Sequence, residues 1–93
     1  MRNSSDRKVT VADAKAAARN CNVAPGYAVR CWTILVRKLK PAVLSNPKIQ
    51  YADVSLPSDD VLGLSIEAFS KLRNVGPDSI AIFTELRLLV GRW

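Results

Sequence analysis

The residues with the most reactive side chains in this 93-residue chain are two cysteines, Cys21 and Cys31, and the chain contains no histidine. A zinc site normally needs four Cys, His or carboxylate ligands, so two thiols ten residues apart predict no metal site. Without histidine there is no Ser-His or Cys-His nucleophile pair. A disulfide is possible in principle, but one thiol in a helix and one in the turn before it favour two small buried apolar groups.

Carboxylates and glycines offer no stronger sign of catalysis. Asp59 and Asp60 directly follow Ser58, an arrangement typical of the negative charge at a helix N-terminus. The four glycines never form a phosphate-binding loop such as GxxxxGK[ST]. We therefore expect a protein that is not an enzyme and that uses no cofactor and no small-molecule substrate.

Positive charge is concentrated in the first half of the chain. Residues 1–48 hold ten Lys/Arg against two acidic residues, a net charge of +8, whereas residues 49–93 hold four against six, a net charge of −2. Such an imbalance predicts a surface that faces a polyanion, and the alternative is that solvated Lys and Arg only keep a small protein soluble. The residues expected to contact nucleic acid are Arg7, Lys8, Lys15, Arg19, Tyr27, Arg30, Arg37, Lys38 and Lys40.

Composition places the chain among folded globular proteins, because 48% of its residues are hydrophobic and 24% are charged. No apolar run approaches the roughly 20 residues that span a bilayer, and the first ten residues lack the apolar core of a secretory signal. We expect an intracellular protein with a flexible basic arm over residues 1–9. Residues 10–93 are expected to form one all-α domain, a compact bundle of four to five short helices.

Local signals predict where each helix begins. Thr10 followed by Asp13 resembles a capping box, and the alanines after it favour a helix through Asn20. Proline suits the first position of a helix, and this favours starts at Pro25 and Pro77. The sequence further predicts one helical turn over 42–44, a helix from Ser58 to Leu64, and another over 66–74 capped by Ser65. We expect residues 41–58 otherwise to form an irregular connection, and a short strand over 49–54 is a possible alternative.

The helix predicted over 25–40 is amphipathic. At 100° per residue, a basic stripe that includes Arg30, Arg37 and Lys40 falls within about 80° of the helix circumference. Apolar residues occupy the broad opposite face, with Trp32 at its margin. Tyr27 and Trp32 could stack on bases, although aromatic side chains more often pack in a core.

Residues 14–33 resemble the helix-turn-helix of DNA-binding domains. That pattern has a small fifth residue, here Ala18, and Gly or Asn at the ninth place, here Asn22. Its apolar places are filled by Ala17, Cys21, Val23, Ala28 and Cys31. The resemblance implies that the helix from Pro25 is the recognition helix, with Arg30 as its strongest base-reading group. The chain departs from the pattern at Pro25-Gly26, where recognition helices usually present polar side chains.

The last predicted helix, SIAIFTELRLLV, is apolar almost all round, so it is either buried in the core or covered by a partner. We expect it to supply the core and also a self-association surface for a homodimer. The alternative function is a non-enzymatic protein-protein interaction or assembly module that uses this helix, as in small viral or phage accessory proteins. The residues assigned to a partner interface are Phe83, Leu86, Leu89, Val90 and Trp93.

Overall fold

Five α-helices and a two-stranded ribbon form the computed structural model, which describes residues 7–93. The chain is an all-α bundle, as the sequence predicts, and its radius of gyration of 12.4 Å matches the ~12 Å of a compact domain of this length. Short 3₁₀ turns lie at Pro41–Ser45 and Tyr51–Asp53. In chain order the elements are β1 (Lys8–Val9), α1 (Val11–Asn20), α2 (Pro25–Leu39), β2 (Leu56–Pro57), α3 (Ser58–Gly63), α4 (Ile66–Ser70) and α5 (Pro77–Gly91).

The start of the described chain is part of the fold, so residues 8–9 do not belong to the flexible arm that was predicted over residues 1–9. Lys8 lies opposite Pro57 and Val9 opposite Leu56 in the antiparallel ribbon. Val9 is fully buried, and the carbonyl of Arg7 accepts a hydrogen bond from the backbone N–H of Ser58 at 3.2 Å. Burial of an apolar side chain and pairing of the backbone both oppose a free arm at residues 8–9. Residues 1–6 lie outside the described residues.

The corner between α1 and α2 is built from local hydrogen bonds. The Asp13 carboxylate accepts from the Thr10 backbone N–H at 2.8 Å, which is half of the predicted capping box. At the other end of α1, the Val23 N–H donates to the Ala18 carbonyl and the Asn22 N–H to that of Arg19. This is a Schellman motif, and Asn22 occupies its left-handed position with φ 58°.

The helix α5 lies in the centre of the bundle. Its side chains Phe83 and Leu86 are fully buried, and the Phe83 ring stacks on that of Phe69 in α4 with 4.3 Å between centroids. The small residues Ala17 and Ala18 of α1 are also fully buried and let neighbouring helices approach closely. Apolar residues of every helix join one core.

Two charged side chains, Glu85 and Arg87, interrupt the mostly apolar sequence of α5 after its first turn, and each of them bonds to a neighbouring element. The Glu85 carboxylate accepts a hydrogen bond from the Asn20 side-chain amide at 3.0 Å, at the end of α1. Arg87 donates to the Leu62 carbonyl of α3 at 2.8 Å. These two charged side chains therefore link α5 to α1 and to α3 by hydrogen bonds.

The middle of the chain differs from the prediction in its element bounds. Ser65 caps α4 as expected, because its hydroxyl accepts from the Ala68 N–H at 3.0 Å, but α4 ends at Ser70 instead of Asn74. Asn74 has a φ of 68°, a left-handed conformation that no helix continues. Residues 51–53 form a 3₁₀ turn, so the possible strand over 49–54 does not form, and the strand of this region is instead Leu56–Pro57.

Candidate nucleic-acid interface

The exposed face of α2 carries the positive charge that the sequence predicts there. Pro25 is the first residue of α2, where its missing N–H costs no helical hydrogen bond. The inward face of the helix is fully buried at Ala28, Cys31, Trp32, Leu35 and Val36. Helical periodicity therefore turns the other side outward, and Arg30, Arg37 and Lys38 are exposed on it.

A shallow groove runs along this exposed face. One concavity lies between Gly26, Tyr27 and Arg30, and the next continues from Arg30 to Arg37 and Asn74. A third shares Arg37 and Asn74 and extends to Lys38 and Arg73. We call these three adjoining concavities the basic groove and define it by Tyr27, Arg30, Arg37, Lys38, Arg73 and Asn74.

The second wall of the basic groove was not predicted from the sequence. It is formed by Leu72, Arg73 and Asn74, the turn between α4 and α5. Arg73 adds a cation from the half of the chain whose net charge is negative, and only the folding of that turn against α2 brings it there. Asn74 has a left-handed conformation in this turn, which is common for asparagine, and Gly76 and Pro77 follow shortly after it.

The cations of the basic groove are not neutralised by close ion pairs. Within residues 7–93 the one ion pair closer than 4 Å joins Lys71 to Glu67, at 3.2 Å. At one end, Lys38 shares a separate concavity with Asp59 and Asp60. The positive potential is therefore expected to be strongest along Arg30, Arg37 and Arg73.

Each arginine of α2 in the groove lies near an aromatic ring. The Arg30 guanidinium is 5.7 Å from the centroid of Tyr27, and that of Arg37 is 5.8 Å from the centroid of Tyr51. Tyr27 is 39% exposed, so this residue is partly accessible to solvent. Trp32, the other aromatic residue considered for base stacking, is fully buried and donates its indole N–H to the Tyr51 carbonyl at 3.0 Å.

The remaining basic residues that were predicted to bind nucleic acid lie elsewhere. Lys15 and Arg19 are exposed on α1, one helical turn apart. Lys40 is exposed at the C-terminal end of α2, and Lys8 is exposed on β1. Arg7 is half-buried, with its guanidinium 4.1 Å from the centre of the Trp93 ring. Of the nine predicted contact residues, four therefore line the basic groove: Tyr27, Arg30, Arg37 and Lys38.

The residues assigned to a partner interface are mostly used inside the chain. Phe83 and Leu86 have no exposed surface and Val90 has 1%, so these three belong to the core and not to an exposed interface. Leu89 and Trp93 are half-buried. The exposed apolar residue of α5 is Leu88, at 51%. An all-round apolar helix has the same sequence pattern in a core and at an interface, which is why the sequence could not separate the two.

Both cysteines are free thiols that contact α5. The Cys31 thiol donates to the Ser79 carbonyl at 3.7 Å, and the Cys21 thiol to that of Ala81 at 3.5 Å. Burial raises the pKa of Cys31 to about 12, and burial, with a smaller effect of the Glu85 charge, also raises the pKa of Cys21. Neither is therefore an activated nucleophile. No group of three possible metal ligands occurs in the described part of the chain.

Comparison with protein-family models, with curated proteins and with solved structures found no match to this chain. Among residues 7–93, no helix is both long enough and apolar enough to cross a membrane.

Proposed function

We propose that this protein is a small nucleic-acid-binding protein that docks on phosphates through the basic groove. One observation supports it most directly: Arg37 lines two adjoining concavities, one with Arg30 and the other with Arg73, and no carboxylate among the described residues lies within 4 Å of these arginines. Guanidinium groups bind phosphate oxygens in a bidentate manner, and each phosphate neutralised releases condensed counterions. The activity is binding without catalysis, and the phosphate chemistry is shared by DNA and RNA.

Base reading by a helix-turn-helix is a separate hypothesis with less support. The corner has the predicted buried alanines and the left-handed Asn22. The first turn of α2, however, presents Pro25 and Gly26, which have no side chain that can hydrogen-bond to a base edge. The proposal therefore rests on the phosphate contacts of Arg30, Arg37 and Arg73.

An intracellular location belongs to the same proposal. Nucleic acids and a reducing environment are both found inside cells, and the two cysteines of this chain are free. Self-association through α5 is not part of it, because Phe83, Leu86 and Val90 are already buried within one chain.

The direct test is the binding of labelled single- and double-stranded DNA and RNA at two salt concentrations. The variant Arg30→Glu/Arg37→Glu is expected to weaken binding at low salt by roughly tenfold or more. It should also reduce the slope of log affinity against log salt by about 1.4 to 1.8, which corresponds to two lost phosphate contacts. The matched control is Lys48→Glu/Arg92→Glu, which changes the net charge equally at two exposed residues outside the groove.

The control should retain most of the affinity, because a specific groove needs its own cations and not only the total charge. If none of the four nucleic acids binds at low salt, the proposal is wrong. If both double variants weaken binding equally, the basic groove is not the binding site.

A further inference from the structure

We infer that the basic groove accepts a single-stranded polynucleotide in preference to a duplex, with one base stacked on Tyr27. This inference rests on the proposed function and names its ligand. It follows from three features of the groove: its two walls, its open end at Gly26 and Tyr27, and the spacing of its arginines.

The second wall of the groove hinders the insertion of α2 into the major groove of a duplex. A helix with its side chains is about 10–12 Å in diameter and fills a DNA major groove about 12 Å wide. Here the turn with Leu72, Arg73 and Asn74 stands beside the exposed face of α2 along Ile34 and Arg37. A duplex groove would have to admit this turn together with the helix, whereas a flexible single strand can lie between the two walls.

The end of the groove near Tyr27 provides a platform for a base. Tyr27 is 39% exposed, and the Arg30 guanidinium lies 5.7 Å from the centroid of its ring. The neighbouring Gly26 is also exposed and lines the same concavity as Tyr27 and Arg30. Proteins that bind single strands combine such stacking platforms with a positively charged channel.

The arginines lie where a backbone that leaves this platform would pass. Arg30 and Arg37 are seven residues apart, which is about two helical turns and ~10 Å along the axis of α2. Arg73 lines one of the concavities of Arg37 from the opposite wall. Cations on both sides of one channel can hold successive phosphates of a strand while its bases remain free to turn towards Tyr27.

The experiment compares labelled 12-nucleotide dT and rU strands with a DNA hairpin duplex that carries the same number of phosphates, each measured at several salt concentrations. The wild-type chain should bind the single strands more tightly than the duplex. Tyr27→Ala should weaken single-strand binding by roughly 5- to 150-fold, the range for one lost stacked base, with little change in the salt slope. Tyr27→Phe should retain the affinity, because the ring remains.

The control for Tyr27→Ala is Val29→Ala, which truncates another exposed apolar side chain of α2 that lies outside the groove and is 41% exposed. It should bind as the wild type does, and circular dichroism should show that every variant keeps its helices. Equal or tighter binding of the duplex, or an unchanged affinity of Tyr27→Ala, would overturn this inference and leave the proposed function standing. Failure of all the nucleic acids to bind would overturn both.

Discussion

The helices α2 and α5 are both fifteen residues long and both begin with a proline, yet the chain uses them in opposite ways. α5 has no exposed basic face: Phe83, Leu86 and Val90 lie in the core, and its Arg87 donates to a backbone carbonyl. α2 buries one face and presents Arg30 and Arg37 on the other. α5 therefore contributes mainly to the stability of the fold. α2 contributes to stability through its buried face and leaves the cations of its outer face without close ion pairs.

The largest loss of stability is expected when a side chain in the centre of α5 is truncated. Phe83→Ala removes a fully buried ring that stacks on Phe69, and it should lower the free energy of unfolding by about 3–5 kcal/mol. Leu88→Ala, at the exposed residue of the same helix, should change it by less than about 0.5 kcal/mol. Urea denaturation measures both, and similar losses would mean that α5 is not the core helix.

The inward face of α2 gives the next largest effect. Trp32→Phe removes the donor to the Tyr51 carbonyl and part of a fully buried side chain, at a cost of about 1–3 kcal/mol. Arg37→Gln, on the outward face, should leave the unfolding free energy within about 0.5 kcal/mol of the wild type. If Arg37→Gln destabilised the protein as much as Trp32→Phe, the two faces of α2 would not have separate roles.

The corner that joins α1 to α2 should respond to backbone conformation and not to side-chain size. Asn22 has a φ of 58°, which costs a residue with an ordinary Cβ about 1 kcal/mol more than glycine. Asn22→Ala should therefore destabilise the protein by about 1 kcal/mol, and Asn22→Gly should be neutral or stabilising. Thermal denaturation of the two variants decides this, and the reverse order would contradict the left-handed turn.

The smallest effect is expected where charge is exposed and paired. Glu67 and Lys71 form a salt bridge at 3.2 Å with side chains that are 78% and 73% exposed. Solvent screens such a pair, so Glu67→Gln should cost about 0.2–0.5 kcal/mol and less in high salt. A loss above 1 kcal/mol in a denaturant titration would show that surface charge contributes to stability here, contrary to the contrast between α2 and α5.

Local features of the sequence were enough to predict most of the fold. The starts of α1, α2, α4 and α5 are marked by Thr10, Pro25, Ser65 and Pro77, because a capping residue or a proline acts on its own first turn. The pairing of β1 with β2 was not predictable, since it joins two-residue segments almost fifty positions apart. The positions of the helices along the chain follow from local sequence, whereas the contacts between the elements do not.

The candidate site was predicted in part for the same reason. Arg30 and Arg37 were identified because helical periodicity places them in one stripe of a single helix. Arg73 was missed, because it reaches the basic groove only through the packing of the α4–α5 turn against α2. Phe83, Leu86 and Val90 were wrongly assigned to a partner interface for a similar reason. Their apolar pattern predicts that they are covered, but it does not distinguish the chain's own core from a partner.

The hydrogen bonds from the two thiols to α5 make the cysteines chemical reporters of whether that helix is in place. Cys31 is fully buried and burial raises its pKa to about 12, so its reactive thiolate is scarce at neutral pH and alkylation requires α5 to move away. Cys21 is half-buried. Mass spectrometry should find Cys21 alkylated first, and the alkylation rate at Cys31 should give the free energy of opening of α5 without any engineered cysteine.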